Sequence, residues 1–262
     1  MTRDQGVEVS VVLPCYKAAN LAVRSVEALQ RAMSGTGLEW EILVVDDGGG
    51  DFRSAGWKES DRVRLIQFSE NRGKGAAVKE AMLRARGNVR IFTDVDLPFG
   101  VDFVPVVRSY LRGGFHMVVG DRTLPTSSYR DSISRPRRIA SALFTSFVGT
   151  LVTGGFFDTQ CGLKGVRGDI ADQLFPLLTI DRFAFDVELI YVALKHRLDI
   201  KRIPVNLVNN DTSSVRVLRD AARGAIDVLG IKVNQWRSRY DSTVLDDIVR
   251  QDYEAVKQRS GT

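Results

Sequence analysis

Five short runs of β-branched and aliphatic residues, at 7–13, 41–45, 63–68, 89–93 and 116–120, punctuate the first 120 residues of this chain. Stretches of helical period lie between several of them, and that alternation limits the fold more than any other feature. Residues 21–33 carry Leu21, Val23, Val26, Ala28, Leu29 and Met33 at helical spacing before the Gly35-Thr36-Gly37 break, and residues 76–86 place Ala77, Val78, Ala81, Met82 and Ala85 on one face. Strands alternating with helices predict an α/β fold, a mostly parallel central sheet flanked by helices on both faces. Pro14 is expected to stop the first strand, because it cannot donate to a ladder. Beyond residue 120 the pattern loosens, with a helix expected near 185–196 and a last strand at 200–207.

Ligands of such sheets collect beyond the carboxyl ends of the strands. Here the second run ends in Asp46-Asp47, the third in Asn71-Arg72-Gly73-Lys74-Gly75, the fourth in Asp94-Val95-Asp96 and the fifth in Asp121-Arg122. Two carboxylates one residue apart repel each other unless a cation neutralises them. A hard ion such as Mg²⁺ or Mn²⁺ suits oxygen ligands and shares its shell with substrate phosphates. The plain alternative is a solvated turn, since Pro98 and Gly100 follow closely. An acid after the second strand can accept hydrogen bonds from a base or ribose, and Lys74 at a helix start can meet phosphate alongside free backbone N–H groups. The glycine-rich turn of a dinucleotide fold is absent, because the first turn reads Pro14-Cys15-Tyr16-Lys17-Ala18-Ala19-Asn20. Gly73-Lys74-Gly75 likewise lacks P-loop spacing.

The formal charge of +5 favours anionic partners such as sugar nucleotides or phospholipid surfaces. Nucleic acid is not expected as a partner, since acidic clusters occupy the ligand edge and no nucleic-acid motif appears. Two cysteines, Cys15 and Cys161, make no disulfide framework or metal pattern, so a reducing cytoplasm is the expected location. Residues 1–7 are polar and suggest no signal peptide. The uncharged stretch 139–157 holds too many Ser, Thr and Gly residues for a span of about 20 apolar residues, and reads as a buried or interfacial helix. Residues 1–210 are expected to form one catalytic domain and 211–262 a basic amphipathic helical tail. That tail could lie on an anionic membrane face or pack on its own domain. His116 and His196 read as structural or surface groups.

Taken in order, the motifs Val-Val-Leu-Pro-Cys-Tyr (11–16), Val-Val-Asp-Asp-Gly (44–48), Asn-Arg-Gly-Lys-Gly (71–75), Thr-Asp-Val-Asp (93–96), Gly-Asp-Arg (120–122), Asp-Thr-Gln-Cys-Gly-Leu-Lys (158–164) and Arg-Phe-Ala-Phe-Asp-Val-Glu-Leu (182–189) resemble the family-2 glycosyltransferases of GT-A fold. Within that family the resemblance is to the dolichyl-phosphate glucosyltransferase and polyprenyl-phosphate hexosyltransferase branch, and it covers residues 7–240. It implies an inverting transfer of a hexose from a nucleotide-diphosphate sugar, of UDP-glucose or GDP-mannose type, to a polyprenyl phosphate. Pro14, Tyr16, Asp46 and Asp47 would line the nucleotide pocket, with Lys74 and Asp94 at its edge. Asp94 and Asp96 would hold Mg²⁺ or Mn²⁺, Asp96 foremost. Arg122, with Arg135 or Arg138, would meet the donor diphosphate or the acceptor phosphate, and Asp158 would stand by the reacting carbon with Gln160 and Lys164 supporting the acceptor. Asp186 and Glu188 read as scaffold at a helix start, where the dipole favours acids. Lys17, Ala18, Gly49 and Pro98 depart from the family pattern and leave base and sugar open. Two other readings stay open: a soluble transferase acting on a small hydroxyl acceptor in specialised metabolism, and a silent nucleotide-sugar binding protein.

Overall fold

The computed structural model describes residues 6–128, 158–182, 184–208 and 217–260. The basic cluster with Arg135 and Arg138 and the uncharged stretch 139–157 lie outside them. The strands are β1 (Val9–Cys15), β2 (Trp40–Asp46), β3 (Val63–Gln67), β4 (Val89–Phe92), β5 (Met117–Asp121), β6 (Lys164–Arg167) and β7 (Ile200–Pro204). The α-helices are α1 (Ala19–Ser34), α2 (Lys74–Arg84), α3 (Phe103–Arg112), α4 (Gly168–Leu174), α5 (Phe185–Lys195), α6 (Val217–Trp236) and α7 (Thr243–Ser260). They build one seven-stranded sheet in the order β3-β2-β1-β4-β6-β5-β7.

Period-two alternation divides the core between the two faces of this sheet. Val12, Leu43, Val45 and Phe92 face a layer made with α2, α4 and α5, whereas Val11, Leu13, Ile42, Val44 and Ile91 pack with the buried side chains of α1 and α3. Helix α1 contributes Ala22, Val26, Leu29 and Met33, one stripe of a 3.6-residue period.

β1 runs through Pro14 to Cys15, farther than expected. Val12 O accepts from Thr93 N on the β4 side and Cys15 O accepts from Asp47 N on the β2 side. Pro14 shares the parity of Val12, so its missing N–H faces a place where β4 has already ended at Phe92. The ladder loses no bond there.

All contacts between β1, β2, β3 and β4 are parallel, while β6 runs antiparallel to both β4 and β5. The carboxyl ends of β1, β2, β4 and β5 therefore share one edge with the first residue of β6, Lys164. The chain turns from β2 and β3 on one side of β1 to β4 on the other, and that switch point opens a crevice at the same edge.

The C-terminal segment is integral to this body. Val228, Ile231, Tyr240 and Leu245 join the core cluster that holds Phe92 and Phe185. Both histidines are buried and tie the sheet domain to that segment. His196 bonds Asp246 Oδ1 at 2.6 Å and Tyr240 O at 2.7 Å, and His116 bonds Asp252 Oδ2 at 3.1 Å. Among the described residues no helix is long and apolar enough to cross a membrane.

Candidate active site

The two acids after β2 act first on the backbone. Asp46 accepts from Gly49 N at 2.7 Å and Gly50 N at 3.0 Å, closing the turn in which Gly48 sits at φ +73°. A Cβ on Gly48 would lie 2.3 Å from the Glu70 carbonyl carbon, so only glycine lets these two loops meet. Asp47 accepts from Asn71 Nδ2 at 2.9 Å, Arg72 N at 2.7 Å and Gly73 N at 2.9 Å. Both carboxylates are buried and brace the loops at this edge; Pro14, at the end of β1, is half-buried and Tyr16 is exposed.

Helix α2 starts at Lys74, but its first turn is not an open row of donors. Gly73 N is held by Asp47, and Ala76 N donates to Asp181 O at 3.0 Å. The expectation that free N–H groups here would receive phosphate is corrected for these two groups, because the 180–182 loop packs directly on Gly73 and Gly75. The Lys74 side chain remains at the edge.

Three acid–base pairs form the centre. Lys74 Nζ lies 2.5 Å from Asp94 Oδ1, and Lys164 Nζ lies 2.5 Å from Asp186 Oδ1 and 2.8 Å from Cys161 O. Arg122 grips Asp158 bidentately, Nε to Oδ2 at 3.0 Å and Nη2 to Oδ1 at 2.7 Å, and its backbone N–H adds a third bond at 2.7 Å. Burial pushes the Asp158 carboxyl up, but the Arg122 bonds and charge outweigh it and hold it below the ordinary carboxylate value. Asp94 behaves the same way: burial works against its charge, and Lys74, Lys164 and Arg122 together bring its pKa down. For Lys74, burial disfavours the ammonium, yet Asp94 and Asp186 raise its pKa. Burial pushes the Cys161 thiol up to about 12, so it stays a neutral packing group.

Asp94 and Asp96 occupy a turn closed by Leu97 N on Asp94 O at 3.0 Å, with Ser25 Oγ of α1 bonded to Val95 O at 2.5 Å. Both acids are half-buried. Gln160 is half-buried too, and its amide nitrogen has no hydrogen-bond partner.

Lys164, expected beside the acceptor, is fully buried instead. It supports the site from below, adding positive charge near Asp94. Asp186 and Glu188 are scaffold, as their place at a helix start suggested. Asp186 neutralises Lys164, and Glu188 accepts from Thr179 N at 2.9 Å, Ile180 N at 2.8 Å and Tyr240 OH at 2.6 Å.

Gly162 stands in the 158–164 motif without a role that the sequence alone assigns. Its backbone packs on the Asp94 carboxylate so closely that a Cβ would lie 2.0 Å from Oδ2. Gly162→Ala must push Asp94 aside, and a displacement near 1 Å at a reacting centre costs about 10²-fold in rate. We expect kcat/KM to fall by about that factor with thermal stability little changed; an unaltered rate constant would show that the Asp94 position is immaterial.

Residues 10–175 match the family model described as glycosyl transferase family 2. The dolichyl-phosphate beta-glucosyltransferase of Dictyostelium discoideum is 29% identical over 242 residues, covering 86% of this chain and 74% of the relative. The Homo sapiens dolichyl-phosphate beta-glucosyltransferase is 31% identical, over 76% of this chain and 67% of its own length. Among solved structures, mannosyl-3-phosphoglycerate synthase from Rubrobacter xylanophilus superposes with a TM-score of 0.62 at 19% identity, covering 92% of this chain and 78% of that one. A Pyrobaculum calidifontis mannosyltransferase solved with GDP-Man and Mn²⁺ gives 0.56 at 18% identity, over 88% and 66%. With its motifs gathered on one edge of a GT-A sheet and the family model spanning more than half of its length, the chain belongs to glycosyl transferase family 2 and is a glycosyltransferase.

Proposed function

We propose that this enzyme moves a hexose, with inversion, from a nucleotide-diphosphate sugar to a polyprenyl phosphate of dolichyl type. The observation that carries the acceptor class is the state of Asp158. Both of its oxygens are engaged by Arg122 and its pKa lies low, which makes it a weak general base. A hydroxyl acceptor needs such a base. A phosphate acceptor does not, because its second pKa is about 6 and its oxygens are anionic near neutrality. The names of the curated relatives point to the same acceptor.

In this reading Pro14 and Tyr16 border the nucleotide, and the loops braced by Asp46 and Asp47 shape its pocket. Asp94 and Asp96 fit a hard divalent ion as two carboxylate oxygens ligands. No cluster of three metal-ligating side chains occurs among the described residues, so the donor phosphates would complete the shell. When bound, Mg²⁺ or Mn²⁺ supplies charge neutralisation at the leaving diphosphate. Lys74 and Arg122 add their positive charge to the neutralisation of the same phosphates, Arg122 while its fork stays on Asp158. Gln160 has an uncommitted amide to donate to the substrate. An acceptor phosphate oxygen attacks the anomeric carbon as the bond to the diphosphate breaks, and no proton has to be removed.

The test is a panel of UDP- and GDP-hexoses crossed with a polyprenyl phosphate and simple sugar acceptors, read as nucleotide diphosphate release. Release that depends on the polyprenyl phosphate is expected. Turnover with the hydroxyl acceptors alone would overturn the acceptor assignment.

A further inference from the structure

One face of α6 is anchored, and among the described residues the opposite face is exposed. Val228 and Ile231 are buried in the core, and Asn234 Nδ2 bonds Thr179 Oγ1 at 2.9 Å and Tyr240 OH at 3.2 Å, which fixes the rotation of the helix about its axis. The outward stripe is then Leu229, Val233 and Trp236, at i, i+4 and i+7, with fractional exposures of 60%, 45% and 87%. Helical geometry places Lys232 between that stripe and the buried face, where its ammonium lies 5.3 Å from the centre of the Tyr191 ring, while Arg237 and Arg239 follow just past the end of the helix, all three residues exposed. No carboxylate occurs between residues 230 and 240.

We infer that this face of α6 is a membrane-docking surface that seats in the interfacial layer of a bilayer containing anionic phospholipid. The inference rests on the polyprenyl-phosphate reading, since such an acceptor is presented at a bilayer surface. Charge complementarity selects the occupant. An apolar stripe with Lys232 at its side and Arg237 and Arg239 at its C-terminal end, and no acid from residue 230 to 240, matches an anionic headgroup layer over hydrocarbon. Trp236 at the end of the stripe carries the amphipathic ring that settles at headgroup depth. Helix α6 also joins the network of Thr179, Glu188 and Tyr240 that holds the loop over Gly73 and Gly75, so docking there would place the donor crevice at a fixed attitude to the membrane.

The experiment uses the full chain and vesicles of phosphatidylcholine, with and without 30% phosphatidylglycerol. Flotation with the anionic vesicles only, and a blue shift of tryptophan emission on binding, are expected. The triple variant Lys232→Gln/Arg237→Gln/Arg239→Gln should bind roughly a hundredfold more weakly, each cation near such a surface being worth about fivefold. Val233→Ser/Trp236→Ser should abolish the blue shift. Both variants alter exposed side chains and should keep wild-type turnover on a short-chain, water-soluble polyprenyl phosphate. If that soluble acceptor is used but neither variant changes vesicle binding, or the wild type does not bind, the docking surface is wrong and the acceptor reading stands. If vesicles are bound as described but no phosphate acceptor is used, the acceptor reading fails instead. A stable dimer in sedimentation velocity, lost in Val233→Ser/Trp236→Ser, would assign the stripe to a second copy and overturn the proposal.

Discussion

Asp96→Ala should lower kcat/KM by about 10³-fold or more while leaving the fold intact. The proposed ion has only Asp94 and Asp96 as carboxylate ligands at the end of β4, and Asp94 already lies 2.5 Å from Lys74 Nζ. Removing Asp96 would leave the ion a single protein carboxylate, itself contested by an ammonium. Metal neutralisation of a leaving diphosphate is worth several kcal/mol, and about 4 kcal/mol is a factor of 10³ in rate. Stability should hold, because Asp96 is half-buried on a turn. Initial rates at several Mg²⁺ and Mn²⁺ concentrations, beside a thermal melt, check both halves. A variant that keeps a tenth of wild-type activity at saturating metal would remove Asp96 from the site. Asp94→Asn is the less clean probe, since it also strips Lys74 of its counter-charge.

How far the sequence could be read depended on whether a segment's period matched its burial. β1, β2 and β4 are covered on both faces, so their apolar runs stand out, and α1 shows its stripe plainly. Helix α3 was hidden by Pro105, which sits in its first turn where a missing N–H costs nothing. β6 was hidden for the opposite reason. It has four residues, begins with a buried Lys and contains Gly165, so nothing in it resembles a strand pattern, yet it joins β4 to β5. Helix α7 is polar along much of its length and gave no apolar period. In the site, the ordered motifs located the edge, and Asp94, Asp96, Arg122 and Asp158 converge there. What the sequence could not show is which cation faces which acid. Lys164 reads as an exposed charge at the end of a conspicuous motif, and only the antiparallel insertion of β6 turns it inward onto Asp186.

That inward turn sets up a large stability effect. Lys164 and Asp186 are both buried, and the Lys164 ammonium also lies 5.4 Å from the centre of the Phe92 ring. Asp186→Asn should destabilise the protein by about 3–5 kcal/mol, because it leaves an uncompensated charge where water cannot reach it. The denaturant midpoint should fall accordingly with an unchanged slope. Replacing both partners by apolar groups, Lys164→Met with Asp186→Leu, removes the buried charge altogether and should recover most of that loss. Activity should separate from stability in the double variant. Lys164 is one of the three cations that hold Asp94 ionised, and its loss withdraws positive charge from beneath the donor crevice. A stable double variant with depressed kcat/KM would therefore mark the pair as kept for the site, whereas one that is stable and fully active would reduce Lys164 to packing. Should Asp186→Asn shift stability by less than about 1 kcal/mol, the buried-charge argument itself would fail.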